Sequence, residues 1–386
     1  MNLRQATAAL CALVVVALAA CAGSGPHAFG GDAASDAVVE RHVKRGYAPD
    51  RAYATTDARE TWTVDGEPIE VSLLAPSGDG RYPLVVFLPG LGDTAESGLA
   101  WRKAWAEADY AVLAVQPASE GNAIWKSEQA RLGDFSAIAR AHFSAMSLAR
   151  RARLLDGVFA ELSRRASSAT LAHVDASRIA VAGFDLGAQT AMIVAGQSVD
   201  GVSAIRWPAS VKSVIALSPY ADFSGMGLAA DFREIRMPVL GVTSGEDTDA
   251  YGLVTSASVR RAPFQYMPPG RKYLLVLAGA PHSLISGRES PDVASSRGSA
   301  DAGGGTLSSC AARGAGWRGG RDRGDGGPGA TGASSTTVNW KMELADAKVV
   351  CVAFLDATVK DDSVAREWLQ KDAQRWLGDL GQLSSK

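Results

Sequence analysis

One short passage constrains the fold of this chain more than any other. Arg178–Gly183 is a mostly apolar run typical of a buried strand, and Ala188–Ala195 has the composition of a buried helix. Between them, Asp185 is flanked two positions away on each side by Gly183 and Gly187. A strand that turns this sharply into a helix leaves no room for side chains at those two positions. Asp185 is therefore expected to project above the end of the strand, at a helix N-terminus whose dipole favours negative charge.

Strand-like and helical runs alternate through most of the chain. A hairpin is predicted from Thr61–Val64 and Ile69–Leu74, with Asp65 and Gly66 as its turn. The further strands expected are Pro83–Leu88, Tyr110–Val115, Arg178–Gly183, Val211–Leu217, Val239–Val242 and Tyr273–Ala278. The expected helices are Leu99–Ala108, Phe143–Arg164, Ala188–Ala195, Ala347–Val359 and Ser363–Trp376. Uninterrupted apolar strands that alternate with helices predict an α/β fold, with a mostly parallel central sheet and helices on both faces.

The composition excludes several classes of protein. The chain has 386 residues, of which 47% are hydrophobic and 21% charged, which is typical of a globular protein. Four cysteines are too few for a disulfide-built mini-protein, and a formal net charge of −2 provides no basic field to hold nucleic acid. The only long apolar run lies at the N-terminus, which excludes a protein with several membrane spans.

The N-terminal run is expected to direct export. Ala6–Ala20 is apolar apart from Thr7, too short to span a bilayer comfortably but suited to the core of a signal peptide. It ends in Leu-Ala-Ala followed by Cys21, which resembles the lipobox of bacterial lipoproteins. The resemblance implies a signal peptide over residues 1–20 and a diacylated Cys21. That lipid would anchor an exported protein to a membrane, on the outer membrane or periplasmic face in a Gram-negative source. The alternative is an ordinary secretory signal cut nearby, with Cys21 incidental.

Two segments outside the periodic runs are interpreted as lacking regular structure. Residues 21–50 are rich in Gly, Ala and charge without steady periodicity, and we interpret them as a tether. Within the expected domain of residues 51–386, 12 of the chain's 41 glycines fall between positions 303 and 332. A disordered surface insertion is predicted over residues 287–338, because such a segment buries too little apolar surface to offset its ordering entropy. After export, Cys310 and Cys351 either pair or remain free thiols.

The strand, Gly-x-Asp-x-Gly and helix resemble the nucleophile elbow of the α/β-hydrolase superfamily. The resemblance covers about residues 61–376 and implies an α/β-hydrolase fold. The layout, which lacks a cap domain, is similar to that of dienelactone hydrolases, chlorophyllases and polyester hydrolases. It implies a small-molecule substrate and no cofactor or metal ion, and it leaves the oligomeric state open.

The other parts of such a site follow in the order found in the superfamily. The Gly-bearing loop after Pro83–Leu88 implies one oxyanion donor in the backbone N–H of Leu91. The N–H of Leu186, directly after the elbow residue, would be the second donor. His282 follows the last predicted core strand, where the superfamily keeps its catalytic His. The remaining histidines are expected to be solvent-exposed or packing residues, and they are His27, His42, His142 and His173.

The acid that would orient His282 is expected where the strand Val239–Val242 runs out. Asp247 matches that position best, and Glu246 and Asp249 are alternatives. An acid, a His and an elbow residue in this order on suitable strands make the resemblance specific, since a lone Gly-x-Asp-x-Gly is a weak signal.

Asp185 is a departure, because most members of the superfamily have Ser at the elbow. A carboxylate is better suited to attack alkyl carbon than an ester carbonyl, where it would form a mixed anhydride. Haloalkane dehalogenases and epoxide hydrolases use an elbow Asp in this way. The former usually place Trp after it, where this chain has Leu186, and the latter carry a cap domain with two Tyr. Only about twenty residues, Ser218–Met237, are available for a cap here, with one Tyr, Tyr220.

Two classes of function therefore remain at the level of sequence. One is a lipid-anchored, exported hydrolase that acts on a small ester-like or alkyl substrate with Asp185 at the nucleophile position. The other is an inactive binding protein on the same fold, in which Asp185 is retained as a helix cap, a role that Asp fills well.

Overall fold

The hairpin predicted around Asp65 and Gly66 begins the sheet. Thr55–Val64 pairs antiparallel with Glu67–Pro76, and Val64 lies opposite Glu67, so that only Asp65 and Gly66 connect the strands. Both connecting residues have a positive φ, 50° and 79°, as a two-residue turn that follows the strand twist requires. The predicted hairpin is confirmed, with longer strands than expected.

The computed structural model describes residues 32–49, 51–202, 204–222, 227–288 and 335–386. Within these residues one sheet has nine strands in the order β1-β2-β4-β3-β5-β6-β7-β8-β9. The strands are β1 Thr55–Val64, β2 Glu67–Pro76, β3 Tyr82–Leu88, β4 Ala111–Pro117, β5 Val174–Phe184, β6 Val211–Leu217, β7 Val239–Ser244, β8 Lys272–Leu277 and β9 Gly381–Ser385. Strands β3 to β8 are parallel, and β1, β2 and β9 pair antiparallel at the two ends of an open sheet. The predicted α/β fold with a mostly parallel sheet is confirmed.

Twelve α-helices surround the sheet in the described part of the chain. They are α1 Asp32–Val43, α2 Leu99–Glu107, α3 Glu128–Arg131, α4 Phe135–His142, α5 Ala145–Arg164, α6 Leu186–Ala195, α7 Leu228–Phe232, α8 Ala262–Tyr266, α9 His282–Ile285, α10 Ser335–Val359, α11 Ser363–Lys371 and α12 Ala373–Leu377. Short 3₁₀ helices add Ala118–Glu120, Asn122–Lys126, Ala257–Arg260 and Gly378–Leu380.

Both faces of the sheet are buried, which explains why its central strands read as continuous apolar runs. In β3, Val85 and Phe87 belong to a core with residues of α2 and α10, whereas Leu84 and Val86 belong to a second core with residues of α5 and α6. Successive side chains of a strand point to opposite faces, so each face of the sheet has its own hydrophobic core.

The N-terminal boundary of the folded region differs from the expectation. Within the expected tether, residues 32–43 form helix α1. His42 Nε2 lies 2.7 Å from Asp346 Oδ1 on α10, and the His42 ring stacks on Trp376 at 4.7 Å. The helix is held by these contacts rather than by amphipathic periodicity, which is why the sequence gives little sign of it. Residues 1–31, which include the expected signal peptide and Cys21, lie outside the described residues.

Two further boundaries differ from the prediction. Helix α10 begins at Ser335, so the last residues of the expected insertion 287–338 are helical, while residues 289–334 lie outside the described part. The predicted helix Ser363–Trp376 is divided at Asp372 into α11 and α12. Among the helices that the structure describes, none is long and apolar enough to cross a membrane.

Candidate active site

The turn between β5 and α6 is as tight as the two glycines suggest. A Cβ on Gly183 would lie 2.8 Å from the backbone N of Ala188 and closer still to the carbonyl group of Gly187. A Cβ on Gly187 would lie 2.6 Å from the carbonyl carbon of Leu88, at the end of β3. Gly187 is therefore required because α6 approaches the end of β3 closely, and not because its side chain would meet Gly183. Asp185 itself has φ +52° and ψ −111°, a conformation that non-glycine residues rarely adopt.

The side chain of Asp185 is buried and does not cap the helix that it precedes. Its relative exposure is 4%, and no side-chain hydrogen bond to the first turn of α6 is present among the described residues. The helix N-terminus still favours its negative charge through the dipole. The alternative expected from the sequence, in which Asp185 is retained as a helix N-cap, therefore has no hydrogen bond to support it.

His282 lies between two carboxylates. Its Nδ1 is 2.7 Å from Oδ1 of Asp247, and its Nε2 is 3.9 Å from Oδ1 of Asp185. Of the three acids considered from the sequence, only Asp247 contacts the ring in the described structure. Glu246 is exposed, and Asp249 instead accepts hydrogen bonds from backbone N–H groups at Tyr251, Leu253 and Val254.

The short contact with Asp247 fixes the orientation of the imidazole. Since an ionised carboxylate only accepts, the Nδ1–H of His282 donates to Asp247, and Nε2 is left facing Asp185. A separation of 3.9 Å is longer than a hydrogen bond, so Nε2 is not occupied by Asp185. The ring is further fixed by Phe184, whose centroid lies 4.8 Å from that of His282. The result is a His with one nitrogen anchored and the other directed at the elbow residue.

Asp247 is fully buried and strongly hydrogen-bonded. Thr243 Oγ1 donates to Oδ2 at 2.7 Å and Ser218 Oγ donates to Oδ1 at 3.1 Å. Burial raises the pKa of the Asp247 carboxyl, but the hydrogen bond from His282 and the charge of Arg260 outweigh it, so this pKa lies below its ordinary value. The carboxylate is therefore ionised and able to orient the imidazole.

The loop that carries His282 is tied to the two elements behind it. Glu343 on α10 accepts a hydrogen bond from the backbone N–H of Gly279 at 3.0 Å, and Trp340 Nε1 donates to the Gly279 carbonyl at 3.2 Å. Ser244 at the end of β7 donates to the carbonyl of Ala280. These bonds place His282 where the parallel strands end, at the same edge of the sheet as Asp185.

The two backbone donors expected to form an oxyanion hole are both free. In the described residues, no backbone or side-chain oxygen accepts from the N–H of Leu91 or Leu186. Leu186 is the first residue of α6, where an N–H has no partner within the helix. The side chains of Leu91 and Leu186 pack in one apolar cluster, which brings the two segments together. Free N–H groups at this place are able to stabilise negative charge that develops beside Asp185.

A buried polar network holds the loop with Leu91 in place, and the sequence analysis missed it. Gln116 Nε2 donates to the carbonyls of Gly90 and Asp93, at 3.0 and 3.1 Å. Arg151 donates to the carbonyl of Pro89 at 3.1 Å and forms a buried ion pair with Glu120. What marks these polar residues is their burial, in an otherwise apolar strand and an amphipathic helix, and that burial is visible only in the folded structure.

A second acid and an aromatic pair lie close to Asp185. Burial, with the charge of Asp185, raises the pKa of Asp93 against the opposing charge of Arg288, whose terminal nitrogen is 3.8 Å away. Tyr251 donates to the carbonyl of Leu91 at 3.2 Å, and its ring stacks on Trp125 at 6.2 Å. Burial, together with the charges of Asp185 and Asp93, raises the pKa of Tyr251, so its hydroxyl stays protonated. Nothing in the sequence pattern pointed to Asp93, Tyr251 or Trp125.

The remaining expected residues fall outside the site. His42 packs on Trp376, and His173 Nδ1 lies 3.0 Å from the carbonyl of Gly80. Tyr220 packs edge-on against Phe143, and burial raises its pKa to about 12. Cys351 is buried and has no disulfide partner among the described residues, and its possible partner Cys310, like His27, lies outside them.

The site contains no evident place for a metal. Within the described residues, no group of three or more His, Cys, Asp or Glu side chains is arranged to hold a metal ion. The chemistry that the site supports on its own consists of a carboxylate, an oriented imidazole and two free backbone donors.

Comparisons with known proteins do not assign this chain to a family. No model of a known protein family matches the sequence, and no curated protein matches it.

Proposed function

We propose that this protein is a hydrolase of the α/β-hydrolase type, exported and anchored by lipid at Cys21, in which Asp185 attacks an electrophilic alkyl carbon of a small-molecule substrate. The observation that carries the proposal is the alignment of Asp185, His282 and Asp247 at 3.9 and 2.7 Å. A carboxylate, a base and the acid that orients it are the groups that such a reaction needs.

The first step is an alkyl transfer to the enzyme. An oxygen of the Asp185 carboxylate forms a bond to the substrate carbon, and the leaving group departs with the electron pair of the broken bond. The carboxylate is a competent nucleophile because it is buried, free of hydrogen bonds from the described residues, and not engaged by Nε2 of His282. The product of this step is an ordinary alkyl ester on Asp185.

The second step is hydrolysis of that ester. His282 Nε2 takes a proton from a water molecule, whose oxygen then attacks the carboxyl carbon of Asp185. The negative charge that forms on the Asp185 oxygen is stabilised by the N–H groups of Leu91 and Leu186. Collapse of this intermediate breaks the bond to the alkyl oxygen, which leaves as the alcohol after receiving the proton from His282. One water oxygen stays in the enzyme.

The proposed location rests on the sequence. The Leu-Ala-Ala-Cys sequence that ends at Cys21 follows a run suited to a signal peptide. A diacylated Cys would hold the folded domain at a membrane surface, because two acyl chains anchor stably where one does not.

A trapping experiment tests the proposed function. The protein is screened against haloalkanes, epoxides and small esters, and each active substrate is then incubated with His282→Gln. Alkylation does not need the base but hydrolysis does, so the variant is expected to gain one alkyl mass on the peptide that contains Asp185. Asp185→Asn is the matched control and should gain none. Turnover by the wild type with no alkyl adduct on Asp185 in His282→Gln would contradict the proposal. A compound that the wild type binds but does not turn over, with no active substrate found, would favour a binding protein.

A further inference from the structure

Arg260 is a buried cation directly beside the His282–Asp247 pair. It ends the 3₁₀ helix Ala257–Arg260, and its side chain has no exposed surface. Its Nε donates to the main-chain carbonyl of Asp247 at 3.0 Å, and one terminal nitrogen donates to the carbonyl of Ser218 at 2.7 Å. A cation this deeply buried needs opposite charge and hydrogen bonds to compensate its lost hydration.

The guanidinium faces the titratable groups of the site. Its Nε is 3.3 Å from Oδ1 of Asp247, and a terminal nitrogen is 3.3 Å from Nδ1 of His282. Because Nδ1–H of His282 donates to Asp247, that second approach is a contact between a positive group and the ring rather than a hydrogen bond. Asp249 lies behind, with Oδ2 at 3.9 Å from the guanidinium.

The need for a cation here follows from the residue at the elbow. A site with Ser, His and Asp holds one negative charge while its His is neutral. Asp185 adds a second, and two carboxylates on opposite sides of His282 would both favour the protonated ring. A protonated imidazole is unable to take a proton from water. One buried positive charge offsets the second carboxylate, so that Asp185, Asp247 and Arg260 together hold a single net negative charge. Asp249, 3.9 Å from the guanidinium, is held instead by backbone N–H groups of its own loop.

We propose that Arg260 is a positioning residue that compensates the charge of Asp185, so that His282 is neutral and able to act as a base. The inference rests on the proposed function. Arg260 holds Asp247 through its main-chain carbonyl and side chain, and its charge opposes protonation of the ring.

The other charged groups around His282 do not fill this role. Asp185 reaches the ring from the β5–α6 turn and Asp247 from the loop after β7, and both are negative. Arg288 is paired with Asp93 and is 43% exposed, so solvent screens it. Glu343, on the helix behind the His282 loop, binds the backbone at Gly279. In the described structure, Arg260 is the cation with a contact to the ring.

The test is the titration of His282 in the full-length protein in detergent. The ring proton signals are followed by NMR with labelled histidine, and the signal of His282 is assigned by its loss in His282→Gln. Arg260→Gln keeps hydrogen-bond donors but removes the charge, so the midpoint of the His282 titration should rise by about one pH unit or more. Arg260→Lys keeps the charge, so the midpoint should stay near that of the wild type.

Two further variants make the result specific. Arg261→Gln removes a neighbouring cation that makes no contact with His282, and it should shift the midpoint far less. Asp185→Asn/Arg260→Gln removes both opposing charges, and its midpoint should return towards that of the wild type. Where Arg260→Gln does not fold, Asp185→Asn alone decides the matter, because its uncompensated guanidinium should lower the midpoint.

A His282 midpoint that is equal in the wild type, Arg260→Gln and Asp185→Asn would overturn the inference and leave Arg260 a purely structural residue. The titration requires no turnover. An absence of alkyl adduct on Asp185 would thus refute the proposed function without touching this result, and the reverse also holds.

Discussion

Gly187 provides the sharpest test of the turn that presents Asp185. In Gly187→Ala the new Cβ would lie 2.6 Å from the carbonyl carbon of Leu88 and 2.8 Å from the carbonyl oxygen of Pro89. Ordinary contact begins near 3.4 Å, so α6 and the end of β3 must separate by about 1 Å. Neither is a flexible side chain that moves aside. We expect a loss of about 3 kcal/mol or more in the free energy of unfolding, at the upper end of the costs of overpacking.

Two control variants separate the clash from the loss of a glycine as such. Gly66→Ala has a positive φ of 79° with open space around the new Cβ, and it should cost about 1 kcal/mol. In Gly245→Ala the nearest atom is 3.7 Å away, an ordinary contact, and the change should be close to neutral. Unfolding in urea, followed by fluorescence, measures all three. Equal stability of Gly187→Ala and Gly245→Ala would refute the argument that the turn requires glycine.

Three other predictions follow from the sequence and the packing. Cys21→Ser should abolish acylation, and mass spectrometry that finds an unlipidated mature N-terminus in the wild type would reject the anchor. Arg151→Met removes the buried partner of Glu120, which keeps only the half-exposed Arg150 at 3.3 Å, and should cost about 3 kcal/mol. Exposed Arg153→Met should cost little, as urea unfolding would show. Burial raises the pKa of Asp346 to about 8, so its contribution to stability is present below about pH 4 and is lost as the pH rises towards 8. Asp346→Asn should remove that loss, and parallel stability curves for variant and wild type would contradict it.

The parts of the fold that follow from local pattern could be predicted from the sequence. The hairpin turn at Asp65 and Gly66 was evident because its backbone conformation demands particular residues. The strand β6, Val211–Leu217, was predicted with its observed bounds, because a strand buried on both faces is apolar throughout.

Elements that owe their structure to tertiary contacts were missed. Strand β9 has the sequence Gly-Gln-Leu-Ser-Ser, which lacks both alternation and β-branched residues. It is a strand because it pairs antiparallel with β8 at the edge of the sheet. Helix α1 similarly depends on contacts of His42 with Asp346 and Trp376, more than 300 positions away.

The candidate site shows the same division. Asp185, Asp247 and His282 could be selected because each follows a strand whose end was predictable, and the structure brings these three together. Arg260 could not, since it lies on a short 3₁₀ helix in an irregular stretch and nothing local distinguishes it from the adjacent Arg261, which is only partly buried, or from other arginines. Its importance comes from complete burial beside Asp247, which only the folded chain reveals.

A single turnover in ¹⁸O-labelled water tests the role of Asp185 most directly. With enzyme in excess over an active substrate, the product alcohol is released, and the peptide that contains Asp185 is analysed by mass spectrometry. One ¹⁸O atom is expected to enter the Asp185 carboxylate, because water attacks the carboxyl carbon of the ester formed on it. Turnover with the label in the product alone and none in Asp185 would contradict the account, since Asp185 would then act as a base rather than as the nucleophile.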